Sequence, residues 1–339
     1  MRRHLAVALL LGLAASPLAS QTILETPTST IEFVGLKRWT LKMIEDSLAV
    51  YAPKDSLTAH ACAAILRDKL HFADAAVSTY VGFDKNNPKK FVAITLVEPQ
   101  DSALIHYKPA FRDSAATRAD WTSAYAAFRA NNELAQVAIQ TPAFYKAHLS
   151  PEDRVKFTKV DALHSLLVAR RDPRDLEQAI HTLETDRNSQ NRTMALIVIA
   201  SFADRDSAWH ALADGLRDPS SGMVNATAAQ LLGMLTRSAA RPVDWRPMAD
   251  RLRYIIDGTN LFGLDQLMTT LGATAINSSL APILLQGGGT IVEAKLHSGD
   301  AHAKAAAISF LSQISGTPHS TDPAVLEQWM RNLRRTAMR

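Results

Sequence analysis

The spacing of hydrophobic positions changes several times along the chain. Leu5–Ala15 is an uninterrupted apolar run. Residues 21–30 are a short polar lead-in. From Thr30 the period is two: Ile31 and Phe33 alternate with Glu32 and Val34 up to Gly35, which predicts a strand and a turn. Thr40–Val50 has a helical period, with Leu41, Ile44 and Leu48 on one face, and Pro53 ends it. Asp55 or Ser56 can cap a second helix running to about Leu70, with Leu57, Ala61, Ala64 and Ile65 on one face. Ala75–Val81 alternates again, with Val77, Thr79 and Val81 on one side and Ala76, Ser78 and Tyr80 on the other. Asp84–Pro88 is a turn. Phe91–Glu98 is the clearest strand, with Val92, Ile94 and Leu96 on one face, and Pro99 ends it. Its second face, Phe91, Ala93 and Val97, is more apolar than solvent requires and is expected to pack on the helical half of the chain.

Past residue 100 the period of 3.6 takes over. Residues 100–150 form a helical connector in which Trp121–Ile139 has helix-like composition and Pro109 and Pro142 are breaks. Ser150-Pro151-Glu152-Asp153 is a helix start: a capping serine, proline at the first position and acids in the first turn. From 151 to 339 helix follows helix. A small residue recurs at Ala195, Ala228 and Ala307, with Leu267 in its place once, and an aliphatic residue at Ile199, Leu232, Leu271 and Leu311. Helix pairs repeating at such a period cannot bury their apolar faces singly and must stack. Gly316-Thr317-Pro318 leads to a last helix whose Trp329 is placed to cover the open end. The fold class is therefore α+β, predominantly α: a small β-α-α-β-β domain followed by an α-helical solenoid.

Two resemblances rest on these segments. Ile31-Glu32-Phe33-Val34-Gly35, Leu66–Phe72 and Val92–Glu98 together resemble a POTRA domain over residues 28–99. The POTRA family implies a bacterial envelope setting, in front of an outer-membrane barrel, yet no alternating ten-residue segments of a barrel follow. The small and aliphatic positions resemble HEAT repeats over about 175–336.

Composition narrows the setting. Arg2, Arg3 and His4, the apolar run and Ser16-Pro17-Leu18-Ala19-Ser20 have the order of a secretory signal, so residues 1–20 are expected to be removed and the protein exported, most simply to the periplasm. Eleven apolar residues fall short of the ~20 that a membrane span needs. Without Arg2 and Arg3, 35 basic residues face 33 acidic ones, so nothing argues for nucleic acid. Cys62 is the only cysteine and sits among Ala61, Ala63, Ala64 and Ile65, the setting of a core residue rather than a nucleophile.

Signals for chemistry are few. The chain has no H-E-x-x-H, G-x-S-x-G, S-x-x-K, Walker A loop or C-x-x-C, and no catalytic residue, metal site or cofactor is assigned. Gly287-Gly288-Gly289-Thr290 lacks the lysine of a phosphate loop and reads as a turn. Glu177/His181, Asp206/His210 and Glu293/His297 read as helix-face pairs four residues apart, each without a third metal ligand. The Asn-x-Ser/Thr triplets at Asn191, Asn225 and Asn277 have no special meaning in a bacterial chain. These features favour a protein–protein interaction or scaffold module of the cell envelope. Its expected partner is an envelope protein or peptide, taken up at the edge strand through Val77, Thr79 and Tyr80. An envelope enzyme, hydrolase-like, with a site between the two halves near His71 and His106 is the alternative.

Overall fold

The computed structural model describes residues 20–51, 61–81, 90–112, 119–130, 149–219, 223–256, 263–317 and 320–337. The expected signal segment, the Asp55 or Ser56 cap and the Asp84–Pro88 turn lie outside these. The described part opens with β1 (Ser20–Glu25), β2 (Ser29–Leu36), α1 (Leu41–Tyr51), α2 (Ala61–Asp68), β3 (Asp74–Val81) and β4 (Lys90–Val97). These strands make one sheet in the order β1-β2-β4-β3. β2 and β4 are parallel, and β1 and β3 pair antiparallel to them on either side.

The lead-in read as polar is thus a strand, and the small domain is β-β-α-α-β-β with four strands. An edge strand needs little apolar content: among the described side chains of β1, Leu24 packs on the core while Ile23 faces out. Ile31, Phe33, Val77, Val92, Ile94 and Leu96 form one face of the sheet and pack beneath Ile44 and Leu48 of α1 and Cys62 and Leu66 of α2. Cys62 is a buried core residue, as its neighbours predict. β2 runs on through Gly35 to Leu36. Gly35 has φ +96°, and a Cβ there would lie 2.2 Å from the Leu96 carbonyl oxygen, so only glycine fits. Glu98, fully buried, closes the domain: its Oε1 accepts the N–H groups of Lys37, Arg38 and Trp39 at 2.7, 2.8 and 2.9 Å ahead of α1.

After a 3-10 turn at Pro99–Leu104 come α3 (Ala119–Ala130), α4 (Pro151–Val168), α5 (Pro173–Thr185), α6 (Ser189–Ala200), α7 (Asp206–Gly215) and α8 (Val224–Ser238). Then follow α9 (Ala249–Tyr254), α10 (Leu264–Ala273), α11 (Ala281–Leu284), α12 (Thr290–Leu296), α13 (Ala301–Ile314) and α14 (Pro323–Ala337). The Ser150 side chain caps α4 by accepting the Asp153 N–H, with Pro151 in the first turn. Asp172, Asn188 and Asp300 cap α5, α6 and α13 in the same way.

α6, α8, α10 and α13 stack in one file, and α5, α7, α9 and α11 run beside it in another. All eight repeat positions, Ala195, Ala228, Leu267 and Ala307 with Ile199, Leu232, Leu271 and Leu311, are fully buried in the inner file. α3 is no loose connector. Trp121, Tyr125 and Phe128 join the helical core against α6, which buries every side of its last ten residues. At the far end α14 lays Leu326 and Met330 on the stack, with Trp329 half-buried beside them.

The sheet's second face meets the helical body. Ala93, Thr95, Val97, Glu32 and Val34 are buried there. The Ser298 hydroxyl donates to Glu32 Oε2 at 2.7 Å, and a Cβ at Gly299 would lie 3.4 Å from the Phe91 ring. The expected packing of Phe91, Ala93 and Val97 on the helical half is what the structure contains. Among the described residues no helix is long and apolar enough to cross a membrane.

Candidate functional site

Among the described residues the strand order leaves β1 and β3 at the edges of the sheet. β1 has a register shift between Ser20 and Thr22, a device that blunts an edge. β3 runs in unbroken register along β4, from Asp74 opposite Val97 to Val81 opposite Lys90. After Asp74 it carries neither charge nor proline, which are the usual guards of an exposed edge.

The ladder dictates which backbone groups face outward. The Lys90 N–H donates to the Thr28 carbonyl at 2.9 Å, so even-numbered residues of β4 bond to β2. Odd-numbered residues of β4 then bond to β3, where the antiparallel register sets them against even-numbered partners. Ala75, Val77 and Thr79 therefore turn N–H and C=O away from the sheet. At Ala75 both are already satisfied within the chain: the N–H donates to Asp74 Oδ1 at 2.8 Å, and the carbonyl accepts from Arg67 Nη1 at 2.7 Å. At Val77 and Thr79 no strand of the described residues lies beyond the edge.

The three residues expected at the partner site thus differ. Val77 offers only its backbone, because its side chain is buried beneath the helices. Thr79 offers its backbone opposite Val92. Tyr80 belongs to the inward set and turns its backbone groups to Phe91. The side chains of Thr79 and Tyr80 lie outside the described part.

The start of the edge is anchored by residues that no sequence pattern connects. Tyr107, in the extended segment after the 3-10 turn, donates its hydroxyl to Asp74 Oδ2 at 2.6 Å. Burial pushes the Asp74 carboxyl above the usual carboxylate range, against the opposing hydrogen bonds from Tyr107 and Ala75 and the nearby Arg67 charge. Burial and the Asp74 charge likewise push the Tyr107 hydroxyl up.

Of the other candidates, Glu177 and His181 are exposed on α5, and the remaining two pairs make structural contacts. Asp206 pairs with Arg241 and accepts the Asp244 N–H, while His210 bonds the Asp244 carbonyl, so both brace the loop before α9. Burial holds the His210 imidazole below its ordinary pKa. Glu293 pairs with Arg334, and His297 with Glu327. The Gly288 carbonyl accepts from Arg334 Nε at 2.8 Å, which ties the glycine turn to α14. Among the described residues no group of three potential ligands is arranged for a metal. His71 is exposed at φ 58° after α2, and His106 stacks on Tyr254 of α9 at 4.2 Å between centroids. Where Val34, Leu96, Leu104 and Ile291 meet between the halves, the space is about 30 Å³, room for one water.

A cleft of about 540 Å³ lies between α5 and the loop before α7, floored by Leu176, Ile180 and Phe202 and rimmed by Arg171, Glu177, Asp204 and Arg205. Its rim charges are of both signs and select no particular ligand. No family model, no curated protein and no solved structure matches the chain.

Proposed function

We propose that the protein is an exported scaffold of the bacterial cell envelope that takes up an extended segment of a partner protein as an added strand beside β3. The outward N–H and C=O groups of Val77 and Thr79, on a straight edge without charge or proline, carry this reading. No strand of the described residues covers this edge, and such an edge invites aggregation unless a partner covers it. The POTRA-like small domain and the HEAT-like stack fit such a role. The sheet packs on the helical body through its second face, which leaves the β3 edge to one side. Main-chain pairing supplies the affinity, and side chains flanking the added strand select the partner.

The experiment compares wild type with Thr79→Pro. Proline there removes one outward N–H and leaves the β3–β4 ladder intact. Residues 21–339 with a photo-crosslinker at Ser78 are exposed to an envelope fraction. Wild type is expected to give a stoichiometric adduct that Thr79→Pro loses, while circular dichroism and the unfolding midpoint stay unchanged. The same adduct from a folded Thr79→Pro variant rules out strand addition at this edge.

A further inference from the structure

We infer that the corner where the extended segment crosses α7 and α9, built from Lys108, Arg217, Arg253 and Tyr254, binds a small dianion of the phosphate class, free or as a monoester. Lys108 Nζ, Arg217 Nη1 and Arg251 Nη1 converge on the buried Asp214 carboxylate at 2.8, 3.2 and 3.2 Å. Arg251 also lies 4.0 Å from Glu184. Arg253 stands on the same corner without an acid among the described residues: its Nη1 donates to the neutral Gln286 Oε1 at 2.5 Å, and its Nε is buried with no hydrogen-bond partner among them. Among the described residues four cations thus face two carboxylates, an excess of two positive charges.

The aromatic groups bind this corner together. Arg253 lies 4.8 Å and Arg217 5.3 Å from the centroid of the Tyr254 ring, and the His106 ring stacks on it too. Arg217 also donates from Nε to the His106 carbonyl at 3.0 Å. Lys108, Arg217, Arg253, Tyr254 and His106 are all partly open to solvent. A half-buried guanidinium without a counter-charge is costly, whereas one that meets a bidentate oxyanion is strongly stabilised. The surplus of two charges matches a dianion better than a single carboxylate. The field registers at His106, whose imidazole is held below its ordinary pKa first by burial and then by the charges of Arg217 and Arg253.

This site is independent of the β3 edge, and its test needs no partner protein. The ring resonances of His106 in residues 21–339, assigned with His106→Asn, are followed by NMR while inorganic phosphate replaces chloride at constant ionic strength. A bound dianion offsets Arg217 and Arg253, so the apparent pKa of His106 is expected to rise saturably in wild type, by about one unit. Arg253→Gln is expected to raise that pKa without phosphate and to weaken the phosphate response at least ~10-fold. Arg253→Lys, which keeps the charge and loses the fork, should fall between the two. Glycerol phosphate is the second arm: tighter binding than phosphate assigns the site to a monoester, equal binding to the free ion. A His106 titration that phosphate moves no more than chloride overturns the site. So does a folded Arg253→Gln that responds like wild type.

Discussion

Asp74 illustrates how a single buried carboxyl couples two parts of the molecule. It accepts the N–H of its own strand and the hydroxyl of Tyr107 from a segment thirty-three residues away. Burial raises its pKa in the folded state relative to the unfolded chain. A raised carboxyl favours folding when protonated. That contribution is complete below the unfolded pKa and is lost as pH climbs through the folded value. Asp74→Asn places a neutral group there that still accepts from Ala75 and can donate to the Tyr107 oxygen. The variant is therefore expected to gain stability relative to wild type between pH 4.5 and pH 7.5, measured by urea unfolding at both. A stability difference that is the same at the two values would show that burial does not penalise this carboxylate.

Among the elements, the helix stack is legible in the sequence and its ionic joints are not. Small and aliphatic residues at matched spacing mark the inner file because close packing allows little else at those positions, and all eight are fully buried. The joints follow no such rule. Arg192, in the first turn of α6, pairs with Asp218 after α7 at 2.7 and 2.8 Å; Asp265, in the first turn of α10, pairs with Lys295 of α12 at 3.1 Å. The two joints occupy like places with opposite polarity, so no consensus charge can be read from either. β1 was hidden for a different reason, since an edge strand with one inward Leu24 lacks the alternation that marks β4. The Arg192–Asp218 joint is nearly sealed from solvent, and breaking it leaves a buried guanidinium that still faces the Asp186 carbonyl and the Phe111 ring. Asp218→Ala is expected to cost about 3 kcal/mol, read from the urea midpoint, while Arg192→Met with Asp218→Leu should recover most of that loss. Equal destabilisation by the single and double replacements would mean that packing rather than charge matters at this joint.

At the scale of the molecule, the domains suggested by the change of period are joined more tightly than a chain of modules. The sheet is covered on both faces, by α1 and α2 on one and by the α12–α13 corner on the other. Three consecutive residues then pull in different directions: His106 and Lys108 hold the helical body, and Tyr107 between them holds the sheet. The apolar second face of β4 was visible in sequence, but its cover was not, because Ser298 and Gly299 are small residues in a loop two hundred positions away. Gly299 is where this junction is most easily tested. A Cβ there would already touch the Phe91 ring at 3.4 Å, so the larger side chain of Gly299→Leu is expected to push the sheet off the corner. Hydrogen exchange is expected to rise in β2 and β4 and to stay unchanged in α6, α8 and α10, where the stack is self-supporting. Exchange that rises through both halves together would mean that sheet and stack fold as one cooperative unit. Unchanged exchange throughout would mean that the clasp at residues 106–108 holds the halves without help from the face.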